Sequence, residues 1–188
     1  MSKNKLTIVI ILVALLVIIA IVWWRWSIAQ KSNIQSVAPI NTSASADKAV
    51  LPGGNKINAE NKVVTAEGAP VKSDVMPNSP EAPKAVVVEP KKLSEAVVKI
   101  EVGNNKFSPA SFTVKAGAPV SLAFSSVDKK VHVITFSDPS LAALAFGVGS
   151  GQIKAMSFNA PSAPGSYEFH CDVPGHKATG EIGTMIVE

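Results

Sequence analysis

From residue 96 onward, the chain is built from short runs in which apolar and polar side chains alternate. In the first run, Val98, Ile100 and Val102 are separated by Lys99 and Glu101. A period of two is typical of strands that bury one face. Similar runs, divided by turn residues, occupy residues 112–114, 120–124, 131–136, 153–158, 165–171 and 183–187. About seven strands in so short a stretch predict an all-β fold, either a Greek-key sandwich or a small barrel.

One short helix is expected within this β domain. Asp138 can cap a helix in which Pro139 takes the first position. Glycines at positions 147, 149 and 151 end the apolar run that follows. The pattern therefore predicts a helix over residues 140–146.

The N-terminus carries a different pattern, a continuous apolar run. Residues 6–24 are 19 consecutive positions without a charge. As a helix they would span roughly 28 Å, close to the thickness of a bilayer interior. A cleaved signal peptide is the alternative, but its apolar core is usually shorter and ends at a small-residue site. Trp23, Trp24 and Trp26 stand where an interfacial aromatic belt would lie. We expect residues 1–26 to form a single-pass transmembrane anchor.

The charges that flank this run favour one orientation. Lys3, Lys5 and the amino terminus precede it, whereas Arg25 and Lys31 follow it. The positive-inside rule then slightly favours a cytoplasmic N-terminus. The C-terminal domain is accordingly expected on the extracytoplasmic side of the cell membrane, either periplasmic or extracellular.

The stretch between the anchor and the β domain, residues 27–95, contains no aromatic residue and seven prolines. A segment that cannot gather a large apolar face does not offset the entropy lost on ordering. We therefore expect a flexible linker over residues 27–95, which tethers a β domain formed by residues 96–188. A second small folded domain is the alternative for this stretch.

The net charge of +4 is not evenly distributed. Residues 1–95 hold 11 Lys or Arg against 7 Asp or Glu, whereas residues 96–188 hold 7 of each. The β domain is thus neutral, and the N-terminal excess is spread thinly along the chain. Nucleic-acid binding needs a basic patch on a folded face, so this class of function is excluded.

Candidate chemistry lies near the C-terminus, around the single cysteine. On the predicted strand over residues 165–171, Cys171 shares the apolar face while His170 lies on the other face. A turn with the sequence Asp-Val-Pro-Gly follows and can return His176 toward the Cys171 sulfur. His132 lies on the apolar side of its own strand. One thiolate and two imidazoles under an apolar surface form the set used by His₂Cys copper sites with a weak fourth ligand.

His170 is predicted to be a surface residue outside the metal site. A second copper centre beside Cys171 would need several more histidines, and the chain has three in all. A binuclear copper centre of the oxidase type would need two cysteines, and only Cys171 exists. The histidine and cysteine counts therefore argue against a copper enzyme and favour a non-catalytic protein.

Several motifs of residues 96–188 resemble those of the cupredoxins of the plastocyanin and azurin group. They are N-x-F-S-P over residues 105–109, V-K-A-G over residues 114–117, the strand histidine His132, and C-D-V-P-G-H-K-A-T-G from Cys171. The resemblance covers about half of the chain. It implies a cupredoxin fold, one copper ion that cycles between Cu(I) and Cu(II), and His132, Cys171 and His176 as ligands. It also implies single-electron transfer, here by a monomer exchanging electrons with redox partner proteins at the membrane.

The sequence departs from this family at Glu181, where a methionine usually serves as the axial ligand. A carboxylate is a harder ligand that stabilises Cu(II), so an axial Glu181 should lower the reduction potential. Met185 and Met156 could supply the missing sulfur, but Met185 fits better as core packing and Met156 lies in a separate strand. The alternatives are a three-coordinate site with Glu181 turned to solvent, or a domain that has lost tight copper binding.

Two further interpretations of the same residues stay open. A copper storage or delivery module outside the cytoplasm would bind the metal without redox turnover. Zinc would also accept a tetrahedral Cys-His-His-Glu set, although copper would outcompete it at equal availability.

Overall fold

The computed structural model describes residues 34–36 and 51–188 of the chain. Residues 51–188 belong to one compact unit. The strands are β1 (Ile34–Ser36), β2 (Lys56–Ile57), β3 (Val63–Val64), β4 (Val86–Val87), β5 (Val98–Gly103), β6 (Lys106–Ser108), β7 (Ser111–Val114), β8 (Pro119–Ser126), β9 (His132–Phe136), β10 (Phe146–Val148), β11 (Ile153–Asn159), β12 (Gly165–Cys171) and β13 (Ile182–Val187). The α-helix within the described residues is α1 (His176–Thr179).

The strands form two sheets with a shared core. One sheet has the order β1-β7-β13-β12-β9-β10, and the other has the order β4-β11-β8-β5-β6. Strands β12 and β13 pair antiparallel, whereas β7 pairs parallel with β13 and β5 parallel with β8. The core combines Leu122 and Phe124 of the second sheet with Phe169 and Met185 of the first. The predicted all-β sandwich is confirmed.

Burial along the strands follows the alternation in the sequence. In β5 the residues Val98, Ile100 and Val102 are buried, while the lysine and glutamate between them are exposed. In β12 every second residue from Tyr167 to Cys171 is buried. A strand that turns one face to the core removes alternate side chains from water, which explains why the sequence located these strands.

Phe169 of β12 lies at the centre of the aromatic core. Its ring centroid is 5.0 Å from that of Phe107 and 5.8 Å from that of Phe124, both in edge-on arrangements. Across the β12–β13 ladder, Phe169 pairs with Gly183. A Cβ atom at Gly183 would lie 2.2 Å from the Phe169 ring. Because Gly183 has no side chain, the Phe169 ring can occupy this space.

The prediction of a helix over residues 140–146 is wrong. Asp138 does accept a hydrogen bond from the Ser140 backbone N–H, but only a single 3-10 turn follows, at Pro139–Leu141. Phe146 already belongs to β10, where it pairs with Ile134 of β9. Pairing with the edge of a sheet satisfies backbone groups that a helix would have satisfied internally.

The flexible linker was predicted over residues 27–95, and its part over residues 51–95 holds regular structure. These residues include the hairpin β2–β3 and the strand β4, which pairs with β11. Asn159 of β11 accepts a hydrogen bond from the Val63 backbone N–H at 2.9 Å and donates one to its carbonyl oxygen at 3.2 Å. Asn55 donates from Nδ2 to the Ser157 carbonyl oxygen at 3.3 Å.

Hydrogen bonds to β11, together with a small apolar cluster, thus order a segment that lacks a core of its own. The cluster consists of Leu51, Val63 and Val71, with Ile57 packed against it. The segment lies against the sandwich instead of forming a second domain.

The predicted anchor, residues 1–26, and residues 27–33 and 37–50 of the predicted linker lie outside the described residues. Within the part of the chain that is described, no helix has both the length and the apolar character needed to cross a membrane.

Candidate metal centre

Two neighbouring strands of the first sheet carry two of the four predicted site residues. His132 is the first residue of β9 and Cys171 is the last residue of β12. The two strands are paired, with Cys171 opposite Ile134. Because side chains two positions apart on a strand share a face, His132 and Cys171 both point to the buried side.

The loop that follows Cys171 returns the other two residues to the same place. The His176 backbone N–H donates to the Val173 carbonyl oxygen at 3.0 Å, which closes the predicted turn. The Glu181 N–H donates to the His176 carbonyl oxygen at 3.2 Å, and the Cys171 N–H donates to the Glu181 carbonyl oxygen at 3.1 Å. These bonds fix Glu181 beside Cys171 although ten positions separate them.

One ligand atom from each of His132, Cys171, His176 and Glu181 lies within 4.8 Å of the other three. The Cys171 Sγ is 3.9 Å from His132 Nδ1 and 3.5 Å from His176 Nδ1. The Glu181 Oε2 is 2.9 Å from His132 Nδ1 and 3.0 Å from His176 Nδ1. The structure thus brings together all four residues named from the sequence.

The group is almost entirely shielded from water. His132, Cys171 and Glu181 are 0 % exposed, while the His176 side chain keeps 17 % of its surface accessible. Glu181 therefore points inward, and the alternative in which it turns to solvent is wrong.

The carboxylate of Glu181 is incompletely satisfied. Its Oε1 has no hydrogen-bond partner among the described residues. A buried charge without a full set of partners is costly unless a cation balances it. A metal ion within the donor group would supply that charge, and a thiolate with two imidazoles is a soft set that suits copper. The residues present therefore fit a copper ion.

Burial raises the pKa of the Cys171 thiol above its usual value, and the nearby Glu181 carboxylate adds to this effect. Hydrogen bonds from the Val173 and Val133 backbone act in the opposite direction. Because metal ions bind the thiolate and not the thiol, a metal ion bound at Cys171 would displace the thiol proton.

His170 lies on the other face of β12, as the sequence predicted. Together with Ser137, Glu168 and Lys177 it forms what we call the outer-face cluster. Lys177 Nζ donates to Glu168 Oε1 at 2.8 Å, and Ser137 Oγ donates to the same oxygen at 2.9 Å. Hydrogen bonds from these two side chains lower the pKa of Glu168. His170 Nδ1 is 3.2 Å from Ser137 Oγ, so His170 is engaged away from the metal-donor group.

One residue near the site was missed by the sequence analysis. Asp128 Oδ1 lies 3.0 Å from Nε2 of His132, on the side of the ring away from the donors. The hydrogen bond to His132 lowers the pKa of Asp128 to about 2. Its only sequence signal is its place four residues before His132, where two following lysines make the segment resemble an ordinary exposed turn.

Comparison with known proteins assigns the chain to a family. A model of the cupredoxin-like domain matches residues 79–187, which is more than half of the chain. The chain belongs to the cupredoxin-like domain family. The match begins before residue 96, consistent with strand β4 being part of the sandwich.

The chain is similar to a plastocyanin from Dryopteris crassirhizoma. It is 36% identical over 102 residues, which cover 47% of this chain and 93% of that protein. Among solved structures, dithionite-reduced auracyanin from Roseiflexus castenholzii is 24% identical, covers 49% of this chain and 96% of its own, and has a TM-score of 0.45. Auracyanin A from Chloroflexus aurantiacus, described as a blue copper protein, is 20% identical, covers 49% and 98%, and has a TM-score of 0.41.

Family membership bears on the cofactor and on the class of activity. Cupredoxins bind one copper ion, and the His-Cys-His-Glu group of this chain can hold a metal. Cupredoxins typically carry electrons and are not typically enzymes. Copper binding and electron transfer are thus the properties that the family supports for this chain.

Proposed function

We propose that this protein transfers single electrons through one copper ion bound by His132, Cys171 and His176, with Glu181 as the fourth ligand. The observation that carries the proposal is the convergence of these four donors within 4.8 Å. Glu181 Oε1 supports the proposal further, because this buried oxygen has no hydrogen-bond partner among the described residues. A cation bound beside it would balance the charge of the carboxylate.

The four residues would contribute different types of ligand atom to the metal. Two imidazole Nδ1 atoms and the thiolate sulfur form the soft part of the ligand set. Glu181 adds a charged oxygen that favours Cu(II) over Cu(I), so the reduction potential should lie below that of a site with a neutral fourth ligand. Copper, when bound, supplies the one-electron couple.

The fold contributes rigidity and exclusion of water. His132 and Cys171 lie on paired strands, and backbone hydrogen bonds close the loop that carries His176 and Glu181. Ligands held in this way have little freedom to rearrange when the metal charge changes. His176 is the exposed member of the group, and it offers an electron partner the shortest approach.

The proposal is tested by loading the full-length protein with Cu(II) and recording visible and electron paramagnetic resonance spectra. We expect an intense thiolate-to-copper absorption, which a Glu181→Met variant should shift. The matched control is Glu168→Met in the outer-face cluster, which should leave the spectrum unchanged. A colourless and weakly bound complex contradicts the proposed site, and an unshifted Glu181→Met spectrum removes Glu181 from the ligand set.

Voltammetry separates electron transfer from copper storage or delivery. The carrier function requires fast and reversible one-electron exchange by the copper-loaded protein. A protein that binds copper tightly but is redox-silent would favour storage or delivery.

We further propose that residues 6–24 tether the protein to the cell membrane as a single-pass anchor, with the copper domain outside the cytoplasm. There it would act as a monomer with redox partner proteins at the same membrane. The uncharged run of 19 residues supports the anchor. Deletion of residues 1–26 should move the protein from the membrane fraction to the soluble fraction; retention in the membrane fraction would contradict the anchor.

A further inference from the structure

Asp128 and the metal donors lie at opposite ends of the His132 ring. The Nδ1 of His132 faces Glu181 and Cys171, whereas its Nε2 faces Asp128 Oδ1 at 3.0 Å. The His132 side chain is 0 % exposed and that of Asp128 is 15 % exposed. Each nitrogen of the ring therefore faces its own carboxylate, and only Nδ1 also faces the Cys171 thiol.

The carboxylate of Asp128 is held in place by its own loop and by a neighbouring one. Its Oδ1 also accepts the Lys130 backbone N–H at 2.9 Å, and its Oδ2 accepts the Asn104 backbone N–H at 3.3 Å. The Asp128 carbonyl oxygen accepts hydrogen bonds from the hydroxyl groups of Ser126 and Ser150. The position of the carboxylate is thus fixed by bonds that do not involve the metal-donor group.

Gly103 leaves the space that this carboxylate needs. A Cβ atom at Gly103 would lie 3.1 Å from Asp128 Cγ and 3.2 Å from Asp128 Oδ2, at a backbone φ of +150°. The end of β5, the Asp128 loop and the start of β9 are therefore fitted to one another around this carboxylate.

This arrangement requires a proton on Nε2 of His132. Both Asp128 oxygens already accept backbone N–H donors, so the carboxyl group acts as an acceptor and Nε2 must donate. A neutral imidazole with its proton on Nε2 has its lone pair on Nδ1. Nδ1 faces the donor group and lies 2.9 Å from Glu181 Oε2, so a metal ion bound within that group would meet the Nδ1 lone pair.

We propose that Asp128 is a positioning residue for His132, accepting its Nε2–H so that Nδ1 is presented to copper, and that its negative charge favours Cu(II) over Cu(I). This inference rests on the proposed copper function. A carboxylate behind a ligating histidine fixes its ring and raises its basicity, and removing such a partner typically costs about 10- to 100-fold in metal affinity. Cu(II), with its higher charge, gains more from a basic imidazole than Cu(I) does.

The first test needs no copper. Nitrogen-15 magnetic resonance of the metal-free, full-length protein reports which ring nitrogen of His132 is protonated. We expect a protected Nε2–H in the wild type and in Asp128→Asn, whose amide oxygen can still accept, but not in Asp128→Ala. The matched control is Asp138→Asn, because Asp138 caps an exposed turn through Ser140. An unprotonated Nε2 in the wild type, or an unchanged signal in Asp128→Ala, overturns the positioning role.

The second test compares copper-loaded wild type with Asp128→Asn. The ratio of Cu(II) affinity to Cu(I) affinity should fall about tenfold, which corresponds to a rise of about 59 mV in reduction potential for one electron. Asp138→Asn should leave the potential unchanged. A loss of folding stability in Asp128→Asn with an unchanged potential would show a purely structural role and overturn the redox part.

The two proposals fail in distinguishable ways. A wild-type protein that does not bind copper overturns the proposed function, and with it the redox part of this inference. The proton on His132 is measured without copper, so that result decides the positioning role in either case.

Discussion

The two faces of β12 carry two polar groups of similar composition and opposite character. The inner group joins two histidines, a cysteine and Glu181, with no lysine or arginine among its hydrogen-bond partners in the described residues. The outer-face cluster joins His170 to Glu168, Ser137 and Lys177, and the side chains of Glu168 and Lys177 are 41 % and 47 % exposed.

The difference between them is one of charge balance. In the outer-face cluster, Lys177 pairs with Glu168, and the exposure of both side chains to solvent screens their charges. In the inner group, Glu181 is buried and one of its oxygens has no partner in the described part of the chain. Histidine and carboxylate side chains occur on both faces, so residue type alone does not make a metal site. The inner group differs from the outer-face cluster by its thiol and by a buried carboxylate oxygen that has no partner among the described residues.

Removal of the inner sulfur should have the largest effect. We expect Cys171→Ser to abolish the thiolate-to-copper absorption completely, because no other described residue places a thiol in the group. His170→Ala, one position away on the outer face, should retain the absorption. Visible spectroscopy of the copper-loaded proteins checks both variants, and a lost absorption in His170→Ala would contradict the separation of the two faces.

Gly183→Ala should destabilise the inner side of β13 strongly. The added methyl group would lie 2.2 Å from the Phe169 ring, and overpacking of this kind costs about 3 kcal/mol. Thr184→Ala, whose neighbour across the ladder is the outer-face residue Glu168, should cost less than about 1 kcal/mol. Chemical denaturation gives both free energies of unfolding, and equal losses would refute the tight fit at Gly183.

Neutralising each carboxylate in turn compares the two faces directly. Glu181→Gln keeps the shape but removes the negative charge, so Cu(II) affinity should fall about tenfold, or ~1.4 kcal/mol. Glu168→Gln should leave Cu(II) affinity unchanged. Competition titration measures both affinities. Equal effects on the two faces would mean that Glu181 acts only through the overall charge of the protein.

Lowering the pH should reveal a smaller difference, between the stability of the metal-free wild type and that of Asp128→Asn. The pKa of Asp128 is lowered from 3.8 to about 2 by its hydrogen bond to His132. A depressed folded pKa contributes stability that is present above pH 3.8 and lost as the pH falls toward 2. Between these pH values, the free energy of unfolding of Asp128→Asn should therefore fall by about 1–2 kcal/mol less than that of the wild type.

The matched carboxylate for this experiment is Glu168, whose pKa is also lowered but within an exposed ion pair. Glu168→Gln should change the acid-dependent loss by less than Asp128→Asn, since exposed pairs contribute about 0–1 kcal/mol. Unfolding curves at several pH values measure both slopes, and the reverse order would contradict the burial argument.

Sequence reasoning located the candidate ligands on strands more reliably than those in loops. Cys171 and His132 were assigned to the buried side from alternation, and His170 to the other side, because a strand fixes the direction of each side chain. The inward direction of Glu181 could not be predicted. It lies in a loop, and its direction depends on a hydrogen bond between its carbonyl oxygen and the distant Cys171 N–H.

The order of residues 51–95 was missed for a related reason. Hydrophobic periodicity measures how much apolar surface a segment can bury, and this segment buries little. Its order comes from its small apolar cluster together with side-chain amides that bond to backbone groups, as Asn159 does with Val63 across 96 positions. Such pairing leaves no periodic trace in the sequence, so neither the segment nor the Asp128 contact could be anticipated.

The short strand β4 also affects how the protein behaves at high concentration. Val86 and Val87 pair with Ala155 and Lys154, along a side of β11 that would otherwise offer unpaired N–H and C=O groups. Open sheet edges recruit strands from other molecules and promote aggregation. A truncated form that begins at residue 96 would uncover this edge, and its chains should self-associate where the longer chain stays dispersed. Strand β4 thus protects the edge of β11 against strand pairing between molecules.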